Sequence, residues 1–253
     1  MSKKKIYIVT GGFSGIGLSI CEKLLRENHI VISIGKTPKK LLNLKEKFKI
    51  YKKKFDPIIC NLENENEIKE FKKYLNKKYL KIDGLVNNAG INPSRNNILR
   101  TSLNDWNKTL NVNLTGVFLI TKYIISHLKN NSSIVNISSV AAKGMKNRIS
   151  YSTSKAGLIG FTKSLAIDFA KRKIRVNCLL PGYVKTNLVK NYLGNLSVTE
   201  KNELIEKHAL NKVGKPQDIS EIVNFLLSEK SRWMTGSIIN IDGGYLLNTQ
   251  KLR

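Results

Sequence analysis

Residues 6–17 have the sequence IYIVTGGFSGIG, a short apolar run followed at once by a glycine-rich turn. The run is typical of a buried β-strand, and the residues after the turn have the apolar spacing of a helix. In such a unit Gly11 permits the tight turn, Gly15 lets the backbone approach a pyrophosphate and Gly17 allows close helix–strand packing. The helix amino terminus then directs unpaired N–H groups and the positive end of its dipole at the phosphates. This stretch therefore predicts a dinucleotide-binding unit at the start of the chain.

The same alternation of strand and helix continues along the chain. Short apolar runs predict strands at residues 6–9, 30–34, 58–60, 84–87, 134–137, 175–180 and 238–241. Helical spacing predicts helices at residues 15–28, 39–48, 65–78, 103–128, 151–171 and 217–228. This order implies right-handed crossovers and an α/β, doubly wound parallel sheet with helices on both faces. We expect one dinucleotide-binding catalytic domain over residues 1–253, with residues 185–213 as an insertion of short helices that covers the substrate.

Composition and charge argue against a membrane or nucleic-acid partner. With 41% hydrophobic and 25% charged residues among 253, the chain has enough apolar side chains for a sizeable core. No run approaches the roughly 18 consecutive apolar residues of a membrane span, so no membrane partner is expected. The net charge of +26 raises the alternative of nucleic-acid binding, but lysine supplies 36 of the 44 basic residues and is spread along the whole chain. A base-reading surface is instead rich in arginine and interleaved aromatics. We expect a solvated lysine surface that attracts nucleotide phosphates or an acidic carrier, and no nucleic acid.

Cysteine and histidine usage indicates the compartment and argues against a metal site. The three cysteines, Cys21, Cys60 and Cys178, are an odd number without CxxC spacing, which favours buried thiols in a reducing cytoplasm. The basic residues 1–5 are followed by an apolar run that is too short for a signal peptide. None of the three histidines lies in an HExxH pattern or beside clustered carboxylates. The expectation is a cytoplasmic protein without a metal ion.

Tyr151 and Lys155 stand four residues apart at the start of a predicted helix, where such side chains are neighbours. A free phenol has a pKa of about 10, and proton transfer near pH 7 requires a lowering of roughly 3 units, or about 4 kcal/mol. One positive charge about 4 Å away supplies on the order of 4 kcal/mol at an effective dielectric near 20. The spacing thus predicts a phenol that Lys155 makes acidic. A second such pair, Tyr74 and Lys78, lies in a charged stretch without a serine partner, and we interpret it as solvated surface.

Three motifs, taken in chain order, resemble the short-chain dehydrogenase/reductase family over nearly the entire chain. They are T-G-x-x-x-G-x-G from Thr10, N-N-A-G over residues 87–90, and Y-x-x-x-K from Tyr151, shortly after a strand that ends in two serines. The resemblance implies a single-domain Rossmann fold with a seven-stranded sheet. It also implies an oxidoreductase that interconverts a carbonyl and a secondary alcohol by hydride transfer.

The same resemblance implies four catalytic residues. Tyr151 donates or accepts the proton, Lys155 tunes the phenol and holds the cofactor, and Asn113 supports a proton relay. A serine hydroxyl orients the substrate oxygen and stabilises the charge that develops on it. Ser139 has the family's strand register, whereas Ser138 restores the commonest family spacing to Tyr151. We favour Ser139 because its position relative to the strand should determine which serine reaches the site, and the loop before Tyr151 can absorb the shorter spacing.

A nicotinamide cofactor is the next implication. An acid at the end of the second strand would bind the 2′-hydroxyl of NAD, whereas a basic residue accommodates the 2′-phosphate of NADP. Here Gly35 takes the acidic position and Lys36 the basic one, with no acid nearby in the sequence, so NADP is expected and NAD is the alternative. Asn61 stands where aspartate is usual at the adenine contact, and its amide oxygen can still accept a hydrogen bond. The full predicted cofactor-binding set is Gly11, Ser14, Gly15, Ile16, Gly17, Lys36, Asn61, Leu62, Asn88, Ala89, Gly90, Tyr151, Lys155, Pro181, Gly182, Val184 and Thr186.

Two substrate classes compete. A 3-oxoacyl-carrier-protein reductase agrees with a basic surface that meets an acidic carrier, whereas residues 143–148 resemble sugar, polyol or hydroxy-acid dehydrogenases. Arg148, close to Tyr151, either pairs with a substrate carboxylate or lies in solvent. A non-catalytic nucleotide-binding module is a third hypothesis, disfavoured by the intact catalytic residues. By analogy with the family, the predicted helices 103–128 and 151–171 form the interface of a homotetramer or homodimer.

Overall fold

The computed structural model describes residues 4–247 and contains one sheet of seven parallel strands. The strands are β1 Ile6–Thr10, β2 Ile30–Gly35, β3 Phe55–Ile59, β4 Ile82–Asn87, β5 Leu128–Ile137, β6 Arg175–Pro181 and β7 Ile238–Ile241. Their order in the sheet is β3-β2-β1-β4-β5-β6-β7. The order reverses between β1 and β4, and ligands of such sheets bind in the crevice outside the carboxyl ends of strands at this point.

Helices cover both faces of the sheet. They are α1 Gly15–Arg26, α2 Pro38–Lys47, α3 Glu65–Lys78, α4 Leu103–Leu110, α5 Gly116–Ile124, α6 Ile149–Asp168, α7 Asn187–Gly194, α8 Val198–Glu206 and α9 Pro216–Leu227. Successive strand residues point to opposite faces. Tyr7 and Val9 pack in the core built with α1, α2 and α9, and Ile8 packs in the core built with α3, α5 and α6. The predicted doubly wound fold is confirmed.

The prediction of a single helix over residues 103–128 is wrong in two respects. After α4, residues Asn111–Thr115 form a π turn, in which the N–H of Gly116 donates to a carbonyl five residues earlier. At the other end, Leu128 already belongs to β5. The apolar spacing continues through a π turn, so the sequence pattern does not distinguish it from α-helix. Such turns recur at functional sites.

The pair Tyr74 and Lys78 on α3 lies at the surface, with Lys78 exposed and Tyr74 half-buried, and both side chains also contact a carboxylate that the sequence did not indicate. Lys78 Nζ lies 2.8 Å from the Tyr74 hydroxyl and 2.9 Å from Asp56 Oδ2. Asp56 also accepts hydrogen bonds from the hydroxyls of Tyr74 and Tyr79, the latter at 3.0 Å. Burial, followed by the charge of Asp56, raises the pKa of Tyr79 to about 12. The cluster therefore fastens the end of α3 to β3, and its phenols stay protonated.

Two short helices, α7 and α8, occupy most of the segment 185–213. A parallel bridge between Val184 and Gly214 marks where the chain leaves the sheet region and returns to it. The hydroxyl of Thr186 caps α7, and Ser197 caps α8 as part of a capping box. The first turn of α7 lines the cleft at the carboxyl ends of the central strands. That this segment covers the substrate stays a prediction.

Within residues 4–247 no helix is long and apolar enough to cross a membrane. Over the same residues no group of three or more His, Cys, Asp or Glu side chains could hold a metal ion. Cys21, Cys60 and Cys178 are free and buried. Burial raises the pKa of both Cys21 and Cys60 to about 12, so these thiols are protonated at neutral pH.

Candidate active site

A cleft of about 410 Å³ opens at the carboxyl ends of the central strands. Most residues that the sequence singles out line it: Gly11, Ser14, Gly15, Ile16, Lys36, Asn61, Leu62, Asn88, Ala89, Gly90, Ser139, Tyr151, Lys155, Pro181, Gly182 and Thr186. Gly17, Asn113 and Val184 are not part of this lining. Val184 is buried, and its carbonyl accepts a hydrogen bond from the N–H of Thr186 at 2.7 Å. The fold thus brings distant segments to one edge of the sheet.

The glycine-rich turn has a geometry that suits a phosphate group. Gly11 and Gly15 have φ angles of +65° and +56°, a left-handed conformation that glycine adopts without strain. A Cβ atom at Gly17 would lie 2.3 Å from the Gly11 carbonyl oxygen, so a side chain there would separate the turn from α1. Ser14 precedes α1 in an extended conformation and gives it no side-chain cap. The first N–H groups of the helix are therefore placed to bind an anion.

Asn88 and Thr10 fasten this turn to the end of β4. The Thr10 hydroxyl accepts hydrogen bonds from the backbone N–H groups of Asn88 and of the next residue, both at 3.0 Å. The Asn88 side chain donates to the carbonyls of Thr10 and Gly11 at 3.0 and 3.3 Å. Below them, buried Asn87 donates to the amide oxygen of Asn136 at 2.8 Å. These asparagines join β1, β4 and β5, so the walls of the cleft are set by the protein's own hydrogen bonds.

The second-strand end of the cleft is basic but contains one acid. At Gly35 a Cβ atom would lie 2.4 Å from the Phe13 ring, so a carboxylate of the NAD type would have to displace that ring. Lys36 lines the cleft, and its Nζ lies 3.3 Å from Glu63 Oε2. No acid lies near Lys36 in the sequence, but the fold places Glu63, from the turn after β3, beside it. Lys40, in the first turn of α2, is a second lysine of the lining that sequence analysis missed.

Lys155 is almost fully buried, with 3% of its surface exposed, and its Nζ donates to the Ile137 carbonyl at 2.9 Å. Burial lowers the pKa of Lys155 to about 8. The Nζ lies 5.8 Å from the centroid of the Tyr151 ring. Burial raises the pKa of Tyr151, while a hydrogen bond with Ser139 and the charge of Arg148 act to lower it. The expected acidification of the phenol by Lys155 is wrong in this structure, because the ammonium is directed at a backbone carbonyl and burial dominates.

The two candidate serines have different surroundings. Ser138 is buried, and its hydroxyl donates to the Lys155 carbonyl at 2.7 Å. Ser139 is half-buried, its Oγ accepts from the N–H of Ala141 at 3.1 Å, and its side chain hydrogen-bonds Tyr151. A hydroxyl that is committed to a buried carbonyl has a structural task. This arrangement agrees with the choice of Ser139 from strand register.

Asn113 lies in the π turn and is fully buried. Its side-chain oxygen accepts from the N–H of Ile91 at 2.8 Å. Its side-chain nitrogen donates to the Ile91 carbonyl at 2.9 Å and to the Ser154 hydroxyl at 3.1 Å. Ser154 in turn donates to the Tyr151 carbonyl at 2.7 Å. Asn113 therefore ties the loop after β4 to the first turns of α6, which include Tyr151.

A smaller cavity of about 80 Å³ lies beyond Tyr151 and is lined by two arginines. Arg148, directly before α6, has 7% of its surface exposed, so the alternative that it lies in solvent is wrong. The second arginine, Arg95, was not expected at the site; its guanidinium carbon lies 3.2 Å from the centroid of the Tyr192 ring. Arg95 stands in an irregular loop and gives no motif, so the sequence carried no signal for it.

The chain is similar to proteins that reduce acyl groups on carriers. A family described as enoyl-(acyl carrier protein) reductase matches residues 11–246. The 3-oxoacyl-[acyl-carrier-protein] reductase of Thermotoga maritima is 35% identical over 247 residues, which cover 96% of this chain and 98% of that protein. The 3-oxoacyl-[acyl-carrier-protein] reductase of Aquifex aeolicus is 38% identical over 244 residues, which cover 95% of this chain and 96% of that protein.

Solved structures share the fold. The ligand-free aldohexose dehydrogenase of Thermoplasma acidophilum matches with a TM-score of 0.83 and 32% identity, covering 97% of this chain and 95% of that one. ElxO with NADP bound matches with a TM-score of 0.89 and 30% identity, covering 97% of this chain and all of that one. Each match includes nearly the whole of this chain.

Proposed function

The chain belongs to the short-chain dehydrogenase/reductase family and is an NAD(P)-dependent oxidoreductase, and we propose that it reduces a carbonyl group held at Tyr151. One observation carries the proposal: the glycine-rich turn, the buried Lys155 and the Ser139–Tyr151 pair converge in one cleft. Burying an ammonium costs stability. A protein that only binds a nucleotide gains nothing from this loss of stability. The convergence therefore supports catalysis over a non-catalytic binding module.

Each proposed catalytic residue has its own task. The pKa of Tyr151 is raised by burial, so its hydroxyl keeps its proton at neutral pH and is suited to donate it to the substrate oxygen. Ser139 Oγ orients that oxygen and stabilises the charge that develops on it. Lys155, with a pKa of about 8, is mostly charged at pH 7 and attracts the proton-depleted phenolate after transfer. Asn113 supports the relay by holding the first turns of α6 in place.

NADP(H) is the cofactor that the lining residues fit. The glycine-rich turn and the uncapped start of α1 would hold its pyrophosphate. Lys36 and Lys40 would hold its 2′-phosphate, because Phe13 excludes an acid from position 35. When bound, NADPH supplies the hydride that the carbonyl carbon receives. The similar protein ElxO has been solved with NADP bound, while Glu63 beside Lys36 keeps NAD as the alternative.

A 3-oxoacyl thioester on an acyl carrier is the substrate candidate that the similar proteins support. The relatives of Thermotoga and Aquifex are named for that reaction, and a net charge of +26 suits an acidic carrier. The second candidate is an oxo acid or a sugar, since an aldohexose dehydrogenase is among the similar structures. The buried Arg148 beside Tyr151 favours the oxo acid within this class.

The whole chain is proposed to act as one catalytic domain in a homotetramer or homodimer in the cytoplasm. Large apolar side chains are exposed on the helices that we expect at the interface: Leu103 on α4, Phe118 on α5 and Ile167 on α6. We propose that these exposed apolar side chains are buried at the subunit interface. A single monomeric species by light scattering would contradict this part of the proposal.

Absorbance at the reduced-nicotinamide band tests the proposed reaction. The protein is mixed with NADPH or NADH and with a 3-oxoacyl thioester, a free oxo acid, an aldohexose and an enoyl thioester. We expect oxidation of NADPH by a 3-oxo substrate, faster than oxidation of NADH. Nucleotide binding without turnover of any carbonyl would indicate a binding module. Turnover of the enoyl thioester alone would move the reaction to a carbon–carbon double bond.

A further inference from the structure

The cavity beyond Tyr151 contains a buried positive charge that no residue described by the structure neutralises. Arg148 is 7% exposed, and its Nη1 has no hydrogen-bond partner in the part of the chain that the structure describes. No Asp or Glu among residues 4–247 forms an ion pair with it. Charged side chains are almost never buried unless they are paired. The described chain therefore supplies no anion to pair with the Arg148 guanidinium.

Neighbouring groups make the same cavity a polar recess. Arg95 also lines it and is stacked on Tyr192 of α7. Partial burial, followed by the charge of Arg148, lowers the pKa of Arg95. Asn92 contributes a further buried oxygen, Oδ1, that has no partner among residues 4–247. Two cations and an amide thus line the same space as Tyr151 and Ser139.

We infer that Arg148 and Arg95 form a subsite for a carboxylate, and that the substrate is an oxo acid whose carboxylate lies a few bonds from the reacting carbonyl. The inference rests on the proposed carbonyl reduction at Tyr151. A planar guanidinium binds a carboxylate through two parallel hydrogen bonds, which neutral groups do not reproduce. Arg148 directly precedes α6, three residues before Tyr151, so an acid held there places its carbonyl within the cavity that Tyr151 and Ser139 line.

The reaction leaves the carboxylate unchanged. A bound NADPH would supply the hydride for the carbonyl carbon, the Tyr151 hydroxyl gives its proton to the carbonyl oxygen, and the Tyr151 phenolate then takes up a proton from solvent. The products are a hydroxy acid and NADP. Throughout the step the carboxylate keeps Arg148 paired, so the buried charge is neutralised in substrate and product alike.

An acyl-carrier thioester fits this subsite less well than a free acid does. Its thioester carbonyl is neutral where the oxo acid has a carboxylate, so Arg148 would stay without a counter-charge. The phosphate of the carrier arm lies many bonds from the reacting carbonyl, too far for a cavity that borders Tyr151. The subsite therefore favours the free oxo acid, and the thioester becomes the competing outcome of the test.

The test compares an acid with its neutral counterparts. The kcat/KM values with NADPH are measured for 3-oxobutanoate, for its methyl ester and for its N-acetylcysteamine thioester. We expect the wild-type protein to prefer the acid over the ester at least about tenfold. Arg148→Met should lower this acid-to-ester ratio by about 10- to 100-fold, chiefly through the KM of the acid. Arg26→Met removes an exposed charge at the end of α1 and should leave the ratio unchanged.

Arg95→Met keeps the test decisive if Arg148→Met fails to fold, because Arg95 is an exposed residue in an irregular loop. It should lower the ratio in the same direction by a smaller factor. A ratio that neither variant changes, or a wild-type preference for the ester or thioester, would overturn the subsite. If the wild-type protein binds NADPH but reduces none of the three compounds or any other carbonyl, the proposed function itself fails.

Discussion

Replacing Lys155 by methionine should stabilise the fold while it abolishes catalysis. The Lys155 ammonium is 3% exposed, and burial lowers its pKa from 10.5 to about 8. A lowering of about 2.5 units means that, at pH 7, holding the charged form in the folded state costs about 3 kcal/mol relative to the unfolded chain. Methionine has a similar length, no charge and a flexible apolar side chain that suits an irregular core. The substitution therefore removes both the free-energy cost of burying the ammonium and the catalytic function.

Part of this gain in the free energy of unfolding is offset by a lost hydrogen bond. Lys155 Nζ donates to the Ile137 carbonyl at 2.9 Å, and the loss of that hydrogen bond costs about 1 kcal/mol. The net gain in the free energy of unfolding is then about 2 kcal/mol at pH 7, or a rise in Tm of roughly 5 °C. The folded state binds the Lys155 proton more weakly than the unfolded chain, so the stability of the wild type increases between about pH 8 and 10.5. At pH 9.5 the cost has fallen to about 1.5 kcal/mol, and the advantage of the variant nearly vanishes.

Thermal unfolding in nucleotide-free buffer at pH 7 and pH 9.5, followed by circular dichroism, measures both effects. Lys163→Met is the matched control, because Lys163 is exposed and lies about two turns further along the same helix. Its free energy of unfolding should stay within about 0.5 kcal/mol of the wild type at both pH values. A Tm of Lys155→Met at or below that of the wild type at pH 7 would show that the buried ammonium is not costly. An advantage of equal size at both pH values would show that its charge is not the cause.

Three further tests address separate parts of the site. Ser139→Ala should lower kcat by about 10²- to 10³-fold with little change in Tm, whereas Ser138→Ala should lose about 1 kcal/mol of stability together with its buried hydrogen bond. Steady-state kinetics and thermal unfolding of both variants measure these effects, and a Ser139→Ala variant with nearly unchanged kcat would reverse the assignment. Lys36→Met should raise the KM for NADPH about tenfold more than the KM for NADH, and an equal rise for both nucleotides would separate Lys36 from the 2′-phosphate. Gly35→Ala should lower the free energy of unfolding by about 1–3 kcal/mol in urea, since its Cβ would lie 2.4 Å from the Phe13 ring; an unchanged midpoint would mean that the ring moves aside freely.

Much of the fold could be predicted from the sequence, because strands buried on both faces have short, almost continuous apolar runs. The elements that the sequence missed are those in which polar residues form part of a strand. β5 begins at Leu128, but its first half includes Lys129, Asn130 and Asn131, which have the pattern of a loop. Only pairing with β4, through a register shift between Ile82 and Gly84, makes that half a strand. Such pairing depends on tertiary contacts that periodicity does not contain.

The candidate site divides in the same way. The glycine-rich turn and the spacing of Tyr151 and Lys155 lie within short contiguous segments, so the sequence places them together. The ion pair of Lys36 with Glu63 joins separate segments, which only the folded chain brings into contact. The pKa of Tyr151 was predicted with the wrong sign, because a single nearby charge was weighed without the desolvation that burial imposes. The sequence likewise does not indicate that Arg148 is buried.

Single-turnover kinetics of Tyr151→Phe would decide whether this hydroxyl supplies the proton for carbonyl reduction. The protein is loaded with NADPH, mixed with a 3-oxo substrate and followed at the reduced-nicotinamide band, with NADPH binding measured in parallel by fluorescence. We expect hydride transfer to slow by about 10²- to 10⁴-fold while the Kd for NADPH stays within about threefold. Hydride transfer at the wild-type rate in the NADPH-loaded variant would contradict the role of Tyr151 as the proton donor.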